Sequence, residues 1–292
     1  MELVERAREQ RGQRRHQWIN SLVLLAGVVL GGGSLLATAL TLRTGQAELR
    51  TSRENVRTLQ EGQVTERYTK AVEQLGSGRR EVRAAAVYAL ERVAKDSPRD
   101  RLAIRDVLAV FVREHARPAP AAQRAQVPAA PTTDVAAAMA VMARRPADPP
   151  GAPQMDLHRI GVPFLRLTSP ASLAGTDLAG SDLRGAHLDR VDLRGANLEL
   201  VELLGAELPG ANLRDANLRG ADLTGVRFPG ALLAGATFSD AVLTEAKLRG
   251  VDLRGADLRS ANLRGVHATT QAHIRPSAKV DGTTKFGPDP SS

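Results

Sequence analysis

The residue types that could do chemistry are present, but their spacing does not suit it. Six histidines (His16, His115, His158, His187, His267 and His273) are scattered along 292 residues, and no two share a helix at the short spacing of a metal-binding pair. Cysteine is absent, which removes disulfides, thiolate metal sites and thiol nucleophiles. The sequence has no Gly-rich phosphate loop ending in Lys-Ser or Lys-Thr and no Gly-x-Ser-x-Gly elbow. Carboxylates do recur at regular intervals, as at Asp182, Glu202 and Asp222. Stacked on one face, such acids could share protons or hold a cation. A regular repeat also builds acid ladders on an exposed surface with no chemistry attached, and that plainer reading prevails. The expectation is a protein that is not an enzyme, with no catalytic, cofactor-binding or metal-binding residues.

The element that must position these residues has a period of five. From Ala171 to Gly265 the unit recurs nineteen times without a gap, as in Ala196-Asn197-Leu198-Glu199-Leu200 and Ala221-Asp222-Leu223-Thr224-Gly225. A fixed short period marks a solenoid, in which each unit touches only its neighbours and stacking creates the core. The third residue is Leu except at Phe228 and Phe238, and the first is mostly Ala, another small residue such as Ser181, or Val as at Val191 and Val251. These two positions face inward. The second and fourth are mostly Asp, Asn, Glu, Arg or Thr and belong to solvent. The fifth is usually Gly, which suits a tight corner. Two inward and three outward residues per five match neither helical nor strand periodicity.

These units resemble the pentapeptide repeat family, whose motif is a small residue, Asp or Asn, Leu or Phe, then two variable residues. The resemblance implies a mainly β C-terminal half, folded as a right-handed quadrilateral β-helix with four pentapeptides per coil. The 95 residues then make about 4.75 coils, and ~4.8 Å per coil gives a rod about 23 Å long. Upstream, Met155-Asp156-Leu157, Ile160-Gly161-Val162 and Leu165-Arg166-Leu167 keep the period one residue out of phase, as if Pro170 were an insertion. An irregular first coil is expected there, so that the β-helix occupies residues 155–268. The tail, 269–292, is expected to blunt the last open edge.

Soluble acidic members of that family imitate duplex DNA and bind DNA gyrase, so a DNA-mimic modulator of gyrase or topoisomerase is the alternative function. Charge argues against it. Residues 171–265 hold 13 acidic and 11 basic side chains with the signs interspersed, and four units per coil place Arg194, Arg214 and Arg254 on one face beside Asp192, Asn212 and Asp252. A mixed face lacks the concentrated negative field a mimic needs. Nor does the whole-chain charge of +8 indicate nucleic-acid binding: the repeats contribute none of it, and five Phe, two Tyr and one Trp leave little stacking surface.

From Trp18 to Leu42 no residue is charged, and Leu, Val, Ala and Gly dominate. Residues 18–42 read as a single membrane-spanning helix after a basic segment, 1–17, with a cleaved leader as the rival reading. Gly27 and Gly31 form a Gly-x-x-x-Gly pair that would allow helix dimerisation and hence a homodimer. Residues 43–116 then read as an amphipathic juxtamembrane helix followed by a helical hairpin, with Ser97-Pro98 restarting the chain as a capping Ser and first-turn Pro. Residues 117–154 are Pro/Ala-rich linkers around a short helix capped by Thr133-Asp134. The run from Glu61 to Gly76 resembles the module preceding the repeats in membrane-anchored pentapeptide repeat proteins of high-GC bacteria, and 35 Arg against five Lys fits such a genome. That resemblance implies a cytoplasmic repeat domain.

Some outward positions break the polar rule: Leu200, Leu204, Pro209, Pro229, Leu232 and Val242. They are the candidate contacts for a protein partner. The function expected from sequence is a membrane-anchored, non-catalytic interaction scaffold.

Overall fold

The computed structural model describes residues 42–43, 50–120, 128–267 and 271–287. They belong to two units, residues 1–63 and 64–292. In the first, residues 50–63 are helical, Arg57 pairs with Glu61 one turn on, and Val56 and Leu59 are exposed. The expected membrane span, with Gly27 and Gly31, lies outside the described residues apart from Leu42. Among the described residues no helix is long and apolar enough to cross a membrane.

The second unit starts with helical residues 64–75 (α1) and continues through α2 (Arg80–Asp96), a 3-10 turn (Pro98–Asp100), α3 (Arg101–His115) and α4 (Thr133–Arg144). The buried stripe of α2 is Ala86, Val87, Leu90 and Val93, and that of α3 includes Ile104, Leu108, Phe111 and Val112, at the three- and four-residue spacings of one helix face. Ser97 does not cap α3 as its position suggests. Its hydroxyl donates to the Asp100 carboxylate at 2.5 Å, and α3 starts one turn later. Helix α4 packs against both α2 and α3 and buries Val135, Ala138, Met139 and Met142. It is part of a three-helix core. Asp134, in its first turn, is completely buried, and accepts from the Arg83 guanidinium on α2 at 2.7 Å.

The five-residue units wind into stacked coils. Second-position residues bridge in parallel to those twenty residues on, as in Asp192 to Asn212 and Asn212 to Leu232. First- and third-position side chains fill the tube, with Leu198, Leu208, Phe228 and Phe238 at most 1 % exposed. In the first coil the partners lie 21 residues apart: Asp156 to Asp177, Gly161 to Asp182, and β1 (Arg166–Thr168) to β2 (His187–Asp189). The extra residue enters after β1, where the Ser169-Pro170 peptide is cis. The hydroxyl of Ser181 spans the phase change, donating to the Leu157 carbonyl and accepting from the Ile160 N–H.

Both ends of the tube are closed by the same chain. At the start, helix C-terminal carbonyls stand where a preceding coil would supply acceptors: Ala116 after α3 accepts from Gly161, and Ala143 in α4 accepts from Ser172 at 2.7 Å. At the finish, the chain passes through the short helix α5 (Gln271–Ile274). It then lays Lys279 beside Asp257, and β4 (Lys285–Phe286) beside β3 (Asn262–Leu263).

Candidate functional site

Four columns of second-position residues define four faces. The first carries Ser172, Asp192, Asn212, Leu232 and Asp252. Here Arg194 and Arg254 fold back onto Asp192 and Asp252 two residues before them, each through two guanidinium nitrogens. The Arg254 bonds hold the Asp252 carboxyl down to about 2. The expected placement of Arg194, Arg214 and Arg254 on one mixed face follows from the same register.

The third face stacks Asp182, Glu202 and Asp222, then Val242. The acid ladder is internally compensated. Arg184 binds Asp182 at 2.7 Å and lies 3.6 Å from Glu202, and Asp222 accepts from Thr224. Asp182 is buried under this pairing.

The second face brings together three groups that the sequence reading left apart: Asp156, His158 and Asp177, whose ligand atoms lie within 4.8 Å of one another. Each is already engaged. Asp156 meets the His158 ring at 2.5 Å and Arg113 of α3 at 2.6 Å, while Asp177 accepts from the Asn197 amide at 2.9 Å. Burial pushes the Asp156 carboxyl up, but bonds from His158 and the neighbouring charges outweigh it and hold it below the usual carboxylate range. The 21-residue spacing from Asp156 to Asp177 was the available signal.

The six outward apolar residues do not form one patch. Leu232 is on the first face, Leu200 closes the second, Leu204 and Val242 are on the third, and Pro209 and Pro229 are on the fourth. Leu200 is 63 % exposed, more than Leu204 or Val242. Only Pro209 and Pro229 come together, one coil apart, lining a shallow groove with Thr168, Ser169, Asp189, Arg190 and Gly210. A separate, largely apolar cavity of about 390 Å³ lies in the helical module among Ala94, Leu102, Leu108, Val141, Met142 and Pro146.

The repeat register agrees with a family-level match. The profile of the family described as Pentapeptide repeats matches residues 171–203, 201–235 and 230–265. Residues 171–265 are pentapeptide repeats. Among solved structures, this pentapeptide repeat protein is similar to Rfr23 from the cyanobacterium Cyanothece 51142, at 27% identity over 38% of this chain and 90% of that one (TM-score 0.31). It is also similar to a pentapeptide repeat protein of the Arabidopsis thaliana thylakoid lumen, at 31% identity over 32% and 81% of the two chains (TM-score 0.22). A third is QnrB1, a plasmid-mediated fluoroquinolone resistance protein, at 17% identity over 46% and 76% (TM-score 0.27). Comparison with curated proteins gave no match.

Proposed function

We propose that this pentapeptide repeat protein is a non-catalytic scaffold, anchored in the cell membrane through residues 18–42, that presents its β-helix to a protein partner in the cytoplasm. The observation that carries the reading is closure of the tube at both ends by the chain itself, through Ala116 and Ala143 at one edge and Lys279 to Phe286 at the other. With its edges capped, the rod has its flat sides left for recognition. The internally paired carboxylates of the second and third faces support a structural reading of those groups over a catalytic one. Self-association through Gly27 and Gly31, assisted by the exposed Val56 and Leu59, completes the proposal as a homodimer. Gyrase mimicry is disfavoured by the alternating Arg–Asp pairs of the first face.

The test is photo-cross-linking of the full chain in its own cells, with the cross-linker placed in turn at Leu204, Pro209 and Leu232, followed by carbonate extraction of membranes. A discrete protein adduct in the extraction-resistant fraction supports the scaffold. Release by carbonate would remove the anchor, and absence of any adduct from all three sites would remove the partner.

A further inference from the structure

The fourth face differs in charge from the other three. Its units carry Arg166, Arg190, Arg227, Lys247 and Arg249 against Asp189 and Glu207, whereas bases and acids are matched on the first face, and acids outnumber bases on the second and third. All five cations are exposed. Arg227 is joined to Glu207 at 3.0 Å, while among the described residues Arg166, Arg190, Lys247 and Arg249 make no ion pair. His187 and His267 extend the same second-position column. A chain whose repeat segment is nearly neutral in sum therefore concentrates its cations on one side.

The groove of Pro209 and Pro229 lies within this face, with Arg190 on its wall. We infer that the fourth face is the docking surface of the scaffold, and that its occupant is an acidic peptide segment of a partner protein, with an apolar side chain seated against the two proline rings. The inference rests on the scaffold reading and adds the face and the partner's chemistry. Charge complementarity selects an anion. Embedded Asp189 and Glu207 select against a continuous polyanion such as a nucleic-acid backbone or an anionic headgroup layer, which would meet both carboxylates, whereas a peptide places its charges discretely. The proline strip fits a side chain and offers a phosphate backbone nothing.

The experiment uses the full chain in detergent and a fluorescein-labelled peptide of glutamates with one central tryptophan, followed by anisotropy at low and moderate salt. Arg227→Glu with Lys247→Glu is compared with Arg219→Glu and Arg259→Glu, which make the same charge change on the opposite, second face; both pairs are exposed, and thermal melts check that each protein folds. The expected result is about tenfold weaker binding for the fourth-face pair, less than about twofold for the control, and a steep loss with salt. Equal losses in the two pairs, or no peptide binding, would overturn the inference, as would tighter binding of an equally charged oligonucleotide or of phosphatidylserine vesicles. A partner cross-linked through another face, with no peptide bound here, would leave the scaffold standing and remove this face. Peptide binding here, with no adduct from any face in cells, would remove the scaffold and keep the anion preference.

Discussion

Leu200 lies over Gly220, one coil further on: a Cβ built on Gly220 would come within 2.8 Å of a Leu200 methyl. Both residues occupy the corner position with positive φ, 56° and 63°. The pattern is general. Phe164 lies over Gly185, Asp215 over Gly235 and Glu245 over Gly265, so a corner with a side chain is followed by a corner without one. The exception is Asp240 before Ser260, where the tail's Asp281 and Thr283 bond Ser260. The exposure of Leu200 thus comes from its corner. Gly220→Ala is expected to cost about 1–2 kcal/mol, chiefly from the left-handed backbone since the Leu200 methyl can move aside, and Leu200→Gly to gain a fraction of that. Urea midpoints of the two variants check this.

At the junction with the helices the crowding is with backbone. A Cβ on Gly161 would stand 2.7 Å from Pro118 Cα and 3.0 Å from the Arg117 carbonyl oxygen. Gly161→Ala should cost about 1–3 kcal/mol and loosen the segment after α3. Faster amide exchange at Gly161 and neighbouring residues, with the central coils unchanged, is the expected signature.

Breaking the buried pair between α2 and α4 should be severe. Asp134→Asn leaves the Arg83 guanidinium, nearly buried, without its counter-charge, for a loss of about 3–5 kcal/mol, whereas replacing both residues with apolar ones of similar size should recover most of it. A denaturation series over the single and double variants measures the difference.

Acid should weaken the same module. Burial pushes the Asp148 carboxyl up, but hydrogen bonds from Arg145 and Arg105 outweigh it and hold it below its ordinary value; Asp134 is likewise held down against burial by Thr132 and Arg83. Groups depressed on folding stabilise above their unfolded value of ~3.9, and that contribution is lost as pH falls through the folded one. The urea midpoint is therefore expected to start falling as pH drops below about 5 and to go on falling through the depressed folded values, and Asp148→Asn to flatten the drop.

Truncation after His267 removes the strand that pairs with β3 and bares the edge of the last coil. In detergent, concentration-dependent association beyond the homodimer is the expected outcome by sedimentation, with the full-length protein going no further than the homodimer at the same concentration.

The tube was the most legible part of the sequence, because its inward positions recur at fixed intervals and burial enforces them without exception at the Leu and Phe positions. The phase shift was readable as well, from Met155 to Leu167 and the intruding Pro170. What escaped notice has particular causes. Arg83 and Arg105 are buried, and no pattern of apolar spacing selects an arginine; each is held by a partner far along the chain, Asp134 and Asp148. Helix α4 was legible as a short helix, but its place in the core was not: it is rich in Ala and flanked by Pro, as in a linker, and its small side chains let it sit close to α2 and α3. The tail's pairing partners lie 22 and 23 residues back, outside the period. The basic fourth face emerges only when residues are sorted by column, since the linear sequence alternates the signs.

The twenty-residue bridge spacing also makes position along the chain a form of address. Inserting one pentapeptide after Gly205 would leave the tube sound, since each unit fits its neighbours alone. It would nevertheless carry Arg227 and Lys247 a quarter turn round the rod, away from Arg166 and Arg190. Only an insertion of four units returns them to the same side. Length and recognition are thus edited in different steps, so a lineage of such rods can redirect its binding side by duplicating five residues, with no side chain replaced.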